Sequence, residues 1–215
     1  MSVSLKNELK QALTGGDYDR VAGLALADKR TFGKLIALAY NKDELICWRA
    51  IEGIGAAAAA VSWQDQAAVR NVVQRILWSA REESGGMGWS APELLAEIVI
   101  AAPRQFPDIP PIIVSLHSED EEKVLLKGVL RAAGRMGESG ITGINGCDEI
   151  VRASLRHNDP QVRGLAVWAA TRADIDAGEI IGGLATDRGE VTIYESGELV
   201  RRPVGELARE ALRAA

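Results

Sequence analysis

The sequence predicts an all-α protein built from repeated helix pairs, followed by a small β-hairpin and a last helix. Three observations predict this fold class. Apolar residues recur at three- and four-residue steps from the N-terminus to about Ala185. Two segments about 39 residues apart share one arrangement, and β-branched runs flank a glycine-containing turn near the C-terminus. We therefore expect a helical repeat solenoid over residues 1–185 and a hairpin-plus-helix cap over residues 186–215.

The composition is that of an ordered globular protein. Of 215 residues, 47% are apolar and 26% are charged, which excludes a disordered or collagen-like chain. A net charge of −5 opposes broad attraction to nucleic acid or anionic lipid. Two cysteines form no disulfide framework, and the sequence shows neither a signal peptide nor about 18 consecutive uncharged apolar residues. We expect a cytoplasmic protein that spans no membrane.

The helices are predicted from apolar stripes and from residues that start helices. The clearest stripe covers residues 44–61, and further stripes cover residues 64–82, 93–102, 124–136 and 162–173. Ser90 and Glu93 have the spacing of a capping box. Asp159 before Pro160 places a hydrogen-bond acceptor at the N-cap and a proline at the first helical position. Each of these two sites predicts the start of a helix.

The repeat is seen in two turn-plus-helix segments. Residues 115–120 lead to a helix that opens with Val124, and residues 154–159 lead to a helix that opens with Val162-Arg163; a looser copy covers residues 38–55. These units resemble HEAT and armadillo-like repeats, such as those of phycobilisome-lyase-type proteins, over residues 31–61 and 109–173, and Asp159-Pro160-Gln161-Val162-Arg163 is the best match.

That resemblance implies a right-handed stack of helix pairs. It also implies that a carboxylate of a turn, in the same or an adjacent repeat, holds Arg163. Lys127 stands near the position of the usual arginine, and residues 64–102 contain an enlarged turn, so both depart from the repeat pattern. The resemblance implies no single function, since the family includes scaffolds, chromophore lyases and some DNA glycosylases.

The C-terminal segment has a different pattern. Residues 191–194 and 199–201 are β-branched runs around Glu195-Ser196-Gly197-Glu198, which is typical of a β-hairpin. Pro203 then opens a helix over residues 204–214. Because a lone hairpin is marginally stable, we expect it to cap the last repeat or to pair with another copy in a homodimer.

The enlarged turn contains a glycine-rich loop, residues 83–90. Residues 86–91, which begin in the loop and end at Ala91, fit the dinucleotide pattern G-x-G-x-x-A, but a helix rather than a strand precedes them, so we expect no cofactor. The loop is either a corner in which Trp89 fills a gap between helices, or a recognition element. The residues assigned to recognition in and beside it are Trp78, Arg81, Glu82, Glu83, Gly86, Gly88 and Trp89.

Two tryptophans lie on polar faces of predicted helices. Trp78 lies opposite the apolar stripe of its helix, and Trp168 lies among polar residues that include Arg172. A tryptophan beside arginine on a polar face is typical of a protein interface, although neighbouring helices of a solenoid can bury both faces. We assign Trp168 and Arg172 to partner binding and leave burial as the alternative.

A basic stripe, Lys123, Lys127, Arg131 and Arg135, follows one helix at four-residue steps. The first three of its residues are candidates for binding an acidic partner on the concave side. The alternative is that they are solvated or paired with acids of a neighbouring repeat.

Catalytic and metal-binding motifs are absent from the sequence. His117 and His157 occupy corresponding turns of neighbouring repeats, an arrangement that allows them to lie near one another, but the helix dipole accounts for each of them, and we expect no metal site. The preferred interpretation is a non-enzymatic module that binds a partner protein through its concave face and the loop at residues 83–90. The alternative is a ligand carrier or an enzyme on the same scaffold, either chromophore-lyase-like or DNA-glycosylase-like.

Overall fold

The computed structural model describes residues 4–81, 89–119 and 124–214. The chain divides into two units, Met1–Ile109 and Pro110–Ala215. Within the described ranges the secondary structure is helical except for one two-stranded sheet, and no strand precedes Glu190. The predicted fold class, helical with a small C-terminal hairpin, is confirmed.

The first unit is organised around one long helix. Its helices are α1 (Leu5–Gly15), α2 (Tyr18–Ala27), α3 (Arg30–Leu38), α4 (Leu45–Ser62), α5 (Gln66–Arg81) and α6 (Ala91–Ala101). α4 packs against α2, α3, α5 and α6. Its predicted stripe lies inward, and Ile54 and Ala58 are fully buried. The apolar spacing of this segment therefore produces the core of the unit.

α4 is also, among the described residues, the helix that is long and apolar enough to cross a membrane. That test uses length and composition alone, and the core helix of a water-soluble protein passes it too. In this structure 56% of the helix is buried inside the protein.

The second unit is organised around α10. Its elements are α7 (Ile109–Ser115), a 3-10 helix (Leu116–Glu119), α8 (Val124–Glu138), α9 (Cys147–Ser154), α10 (Pro160–Arg172), α11 (Gly178–Gly183), β1 (Glu190–Glu195), β2 (Glu198–Pro203) and α12 (Val204–Ala214). α10 packs against α8, α9, α12 and β1. The hairpin and the last helix therefore cover the final helix pair, as the sequence predicts.

Both predicted helix starts are confirmed, but a side-chain cap forms at only one of them. The Asp159 side chain accepts a hydrogen bond from the backbone N–H of Gln161, and Pro160 opens α10, so this start is confirmed. Ser90 is the N-cap of α6, but its side chain makes no capping hydrogen bond. The predicted capping box is wrong, because the Glu93 carboxylate is bonded to Lys42 instead.

The hairpin forms around the predicted turn. β1 and β2 pair antiparallel with Ile193 opposite Val200. Ser196 and Gly197 at the turn have φ values of 51° and 82°. Positive φ at both central residues matches the right-handed twist of the two strands, and glycine adopts it without strain.

Two ion pairs join successive turns of the second unit. Lys127 Nζ lies 2.7 Å from an Asp159 carboxylate oxygen, and Arg163 Nε lies 2.8 Å from Asp187 Oδ2. Lys127 lies near, not at, the repeat position of Arg163, and each side chain pairs with a carboxylate of the following turn. The prediction that a turn carboxylate holds Arg163 is confirmed.

Candidate functional site

The first unit has several exposed aromatic side chains. The apolar residues Val69, Val73 and Ile76 of α5 are buried, whereas 64% of Trp78 is exposed. The expectation that Trp78 lies outside the core of its helix is confirmed. Trp89, just before α6, is also exposed, by 43%. Trp89 therefore does not fill a closed gap between helices.

Trp89 is stacked on a second exposed aromatic residue. The rings of Tyr40 and Trp89 are nearly parallel, at 12°, with their centroids 6.1 Å apart. Of Tyr40, 52% is exposed. We call these two residues the aromatic pair. The sequence analysis missed Tyr40, although its place in a break between two helices was a signal that it lies at the surface.

Lys42 binds the backbone of Trp89, one residue of the aromatic pair. Its ammonium group donates hydrogen bonds to the backbone oxygen of Trp89 at 3.0 Å and to Glu93 Oε1 at 2.5 Å. The indole N–H of Trp48 in turn donates to the backbone oxygen of Lys42 at 2.8 Å. The turn between α3 and α4 is thereby tied to the start of α6.

The Glu93 carboxylate that binds Lys42 is buried. Glu93 is 3% exposed, and within the described part of the chain its Oε2 atom has no hydrogen-bond partner. Burial, followed by the nearby Glu93 carboxylate, raises the pKa of the Cys47 thiol to about 12. Cys47 is thus a packed thiol rather than a nucleophile.

Several predicted recognition residues fall outside the described ranges. These are Glu82, Glu83, Gly86, Gly88 and Lys123. Arg81 is the last residue of α5, and its side chain is likewise not described.

The structure corrects the assignment of Trp168 and Arg131 to a partner surface. Trp168 is 3% exposed and Arg131 is 7% exposed. Two guanidinium groups contact the Trp168 ring, that of Arg131 at 4.4 Å and that of Arg172 at 4.1 Å from the ring centroid. Glu195 accepts hydrogen bonds from the Trp168 indole and from Arg172. α8 and β1 cover α10, so the polar-face tryptophan is used for packing.

The other two described residues of the basic stripe are also paired inside the second unit. Lys127 pairs with Asp159, and Arg135 pairs with Glu138 at 2.7 Å. The Lys127 contact matches the alternative interpretation, in which acids of a neighbouring repeat pair with the stripe, whereas Glu138 lies on the same helix as Arg135.

The two histidines line one cavity of the second unit. Its volume is about 560 Å³, and His117, Glu149 and His157 are among its lining residues. Both histidines therefore face one cavity. The described residues contain no group of three side chains that could hold a metal ion.

Comparisons with known proteins give one curated relative and a shared fold. An uncharacterized protein of Archaeoglobus fulgidus is 27% identical over 179 residues, which cover 82% of this chain and 93% of that protein. No protein-family profile matches the chain.

Two solved structures are similar over nearly the whole chain. One is an engineered protein, with a TM-score of 0.55 and 16% identity over 97% of this chain and 87% of that one. The other is a designed armadillo repeat protein, with a TM-score of 0.52 and 15% identity over 97% of this chain and 91% of that one. With its paired helices and its ladder of turn ion pairs, the chain has the fold of HEAT- and armadillo-like helical repeat proteins.

Proposed function

We propose that this protein is a non-enzymatic interaction module that binds a partner protein through exposed aromatic side chains of its first unit. A helical repeat fold is consistent with a scaffold that binds proteins. The observation that carries the proposal is the aromatic pair, Tyr40 and Trp89, held at the surface by Lys42. Trp78 is a further exposed ring of the same unit.

Exposed aromatic rings favour binding for an energetic reason. Tyrosine and tryptophan bury a large apolar area on association and lose little side-chain entropy, so they dominate many protein interfaces. The aromatic pair is also fixed before a partner arrives, because stacking and the Lys42 hydrogen bonds already order it. The proposed surface includes the loop at residues 83–90, in which Glu83, Gly86 and Gly88 precede Trp89.

In this proposal fewer residues of the second unit contact the partner protein than the sequence predicts. Lys127 and Arg172 remain partly exposed and are the candidates there for a concave binding face. Both already have carboxylate partners, so an acidic partner protein would have to compete with Asp159 or Glu195.

Site-specific photo-crosslinking in the native host tests the proposed surface. A photoreactive phenylalanine analogue replaces Tyr40 or Trp78 in separate variants, and Trp63 in the control. Trp63 suits the control because it is 83% exposed and lies outside the aromatic pair. We expect a discrete crosslinked partner band from positions 40 and 78 and none from position 63.

Two alanine variants separate binding from stability. Tyr40→Ala and Trp78→Ala are expected to leave the melting temperature nearly unchanged, since both side chains are more than half exposed, while capture of the crosslinked partner falls. Equal crosslinking from all three positions, or undiminished capture by both folded variants, would contradict the proposal.

A further inference from the structure

The cavity of the second unit that contains both histidines has an apolar wall. It lies where the end of α7 meets α8 and α9, and Val114, Leu126 and Ile150 line it together with polar side chains. Its volume of about 560 Å³ lies within the range of pockets that take small molecules. We call it the histidine cavity.

Backbone hydrogen bonds orient each imidazole. His117 Nδ1 lies 2.8 Å from the backbone oxygen of Val114, which can only accept, so in the neutral ring Nδ1 carries the proton. Nε2 of His117 is then an acceptor. His157 Nδ1 accepts from the backbone N–H of Asp159 at 3.0 Å, which places the proton of neutral His157 on Nε2. The histidine cavity therefore offers one imidazole acceptor and one imidazole donor.

The charge of the lining is negative. Glu149 contributes a carboxylate, and no lysine or arginine is among the described residues that line the cavity. Among the described lining residues, an anion would meet the Glu149 carboxylate and neither a lysine nor an arginine. A cation would meet the carboxylate and the Nε2 acceptor of His117 while its carbon chain contacted the apolar wall.

We propose that the histidine cavity binds a small organic ammonium ion with a short apolar chain. The carboxylate of Glu149 and His117 Nε2 accept hydrogen bonds from the ammonium group. Val114, Leu126 and Ile150 contact its carbon chain. This site is independent of the aromatic pair, so either proposal can fail without the other.

The two histidines allow ligand binding in the cavity to be followed by NMR. The chain contains 2 histidines, and both line this cavity. In protein labelled with ¹⁵N-histidine, imidazole resonances therefore report on this site alone. The probes are butylammonium, 1-butanol and butyrate, which share a four-carbon chain and differ in charge, each titrated at neutral pH and constant ionic strength.

We expect butylammonium to shift both imidazole spectra with saturation. Butanol should bind about tenfold more weakly, because it loses the charge-assisted hydrogen bonds, and butyrate should produce no saturable shift. Equal responses to butylammonium and butyrate, or no saturable response to butylammonium, would overturn the proposal.

A matched pair of variants tests the carboxylate. Glu149→Gln should lower the affinity for butylammonium about tenfold, the loss expected for one charge-assisted hydrogen bond. Asp148→Asn is the control, since it removes the neighbouring charge in the first turn of α9 without touching the cavity lining. Circular dichroism checks that both variants are folded. If both lose affinity equally, or if Glu149→Gln binds as well as the native chain, the proposed site is wrong.

Discussion

Arg163 makes three hydrogen bonds to turn atoms of the second unit. Its Nε donates to Asp187 at 2.8 Å, and its Nη1 donates to the backbone oxygens of His157 at 2.7 Å and Asn158 at 2.8 Å. These bonds join the start of α10 to the turn before β1. The hydrogen bond from Arg163 is the main cause that lowers the pKa of the Asp187 carboxyl.

Asp187→Asn should therefore destabilise the protein. A carboxyl whose pKa is lowered by folding stabilises the folded state above its unfolded pKa and loses that effect as the pH falls through the folded value. We expect a loss of about 1–2 kcal/mol at neutral pH. The difference in free energy of unfolding between this variant and the native chain should become smaller only when the pH falls below 3.8, the ordinary pKa of an aspartate. Urea unfolding at a series of pH values measures it.

Asp108→Asn is the matched control for this prediction. Asp108 also pairs with an arginine, Arg70, but 55% of its side chain is exposed. Solvent screening should keep its loss below about 1 kcal/mol. Equal losses of unfolding free energy in the two variants would show that burial of the Asp187–Arg163 pair does not add to stability.

Both cysteines should be unreactive in the folded protein. Burial is the main cause that raises the pKa of Cys47 to about 12 and that of Cys147 to about 11. The thiolate is the reactive form, so a disulfide reagent at mildly alkaline pH should label neither residue until denaturant is added. Rapid labelling of the native protein would contradict the burial of these thiols.

The two polar-face tryptophans show what the sequence can predict at the residue scale. Trp78 and Trp168 have the same pattern, yet one is exposed and the other is buried. Periodicity describes the faces of one helix and does not say which neighbours cover them. Tyr40 and Lys42 were missed for a related reason, because their partners Trp89 and Glu93 are distant in sequence.

At the scale of helices, glycines allow α8 and α10 to pack closely. A Cβ atom on Gly134 would lie 2.1 Å from the Trp168 ring, and one on Gly137 would lie 2.4 Å from the Cα of Ala173. Real Cβ atoms do not approach other heavy atoms so closely. The packing of Trp168 against Arg131 and Arg172 thus depends on small residues in α8.

Gly137→Ala should destabilise the second unit. Its neighbour is backbone, which cannot rotate away, so we expect a loss of about 1–3 kcal/mol despite the better helix propensity of alanine. Gly182→Ala in α11 is the control, because no heavy atom lies within 4 Å of the added Cβ. That variant should be neutral or slightly stabilised. Thermal and urea unfolding compare the two, and a harmless Gly137→Ala would contradict the close approach.

Lys42, in the turn between α3 and α4, forms an ion pair with Glu93 of α6. Replacing Lys42 should therefore lower the free energy of unfolding strongly. Lys42→Met leaves the buried Glu93 carboxylate without its ion-pair partner, which should cost about 3 kcal/mol. The double variant Lys42→Met/Glu93→Leu removes both charges and should recover much of that loss. Urea unfolding of the single and double variants measures the recovery. Additive losses would show that the two charges do not stabilise one another.

Helix boundaries were predictable where the signal was local. Asp159 caps α10 through the N–H of Gln161, two residues away, so the sequence contains the whole interaction. The capping box at Ser90 failed because Lys42 is a stronger partner for Glu93 than a backbone N–H. The hairpin was predictable for the same local reason, since its turn residues and both strands are contiguous.

At the scale of the whole molecule, the second unit has a core of its own. The buried apolar cluster there runs from Val114 to Ala211 and includes residues of α8, α10, β1 and α12. The boundary between residues 185 and 186 stays a prediction. The hairpin and α12 belong to the same compact unit as residues 110–185.

A fragment of residues 110–215 should therefore fold by itself. We expect a cooperative thermal transition by circular dichroism and dispersed NMR resonances. A shorter fragment, residues 110–189, is the control because it lacks Val191, Ile193 and Val204, which are buried in the cluster. It should show no cooperative transition. An unfolded 110–215 fragment would contradict the independence of this core.

The placement of the tryptophans also decides which optical signal can follow unfolding. Trp63, Trp78 and Trp89 are exposed in the native protein, so their emission is already close to that of an indole in water. The other two tryptophans change environment on unfolding, since Trp48 is half-buried and Trp168 is buried beneath two guanidinium groups. Emission from the native chain therefore mixes exposed and covered indoles, and loss of helical ellipticity is the simpler signal. A variant that keeps Trp168 as its single tryptophan would convert fluorescence into a specific reporter of the second unit.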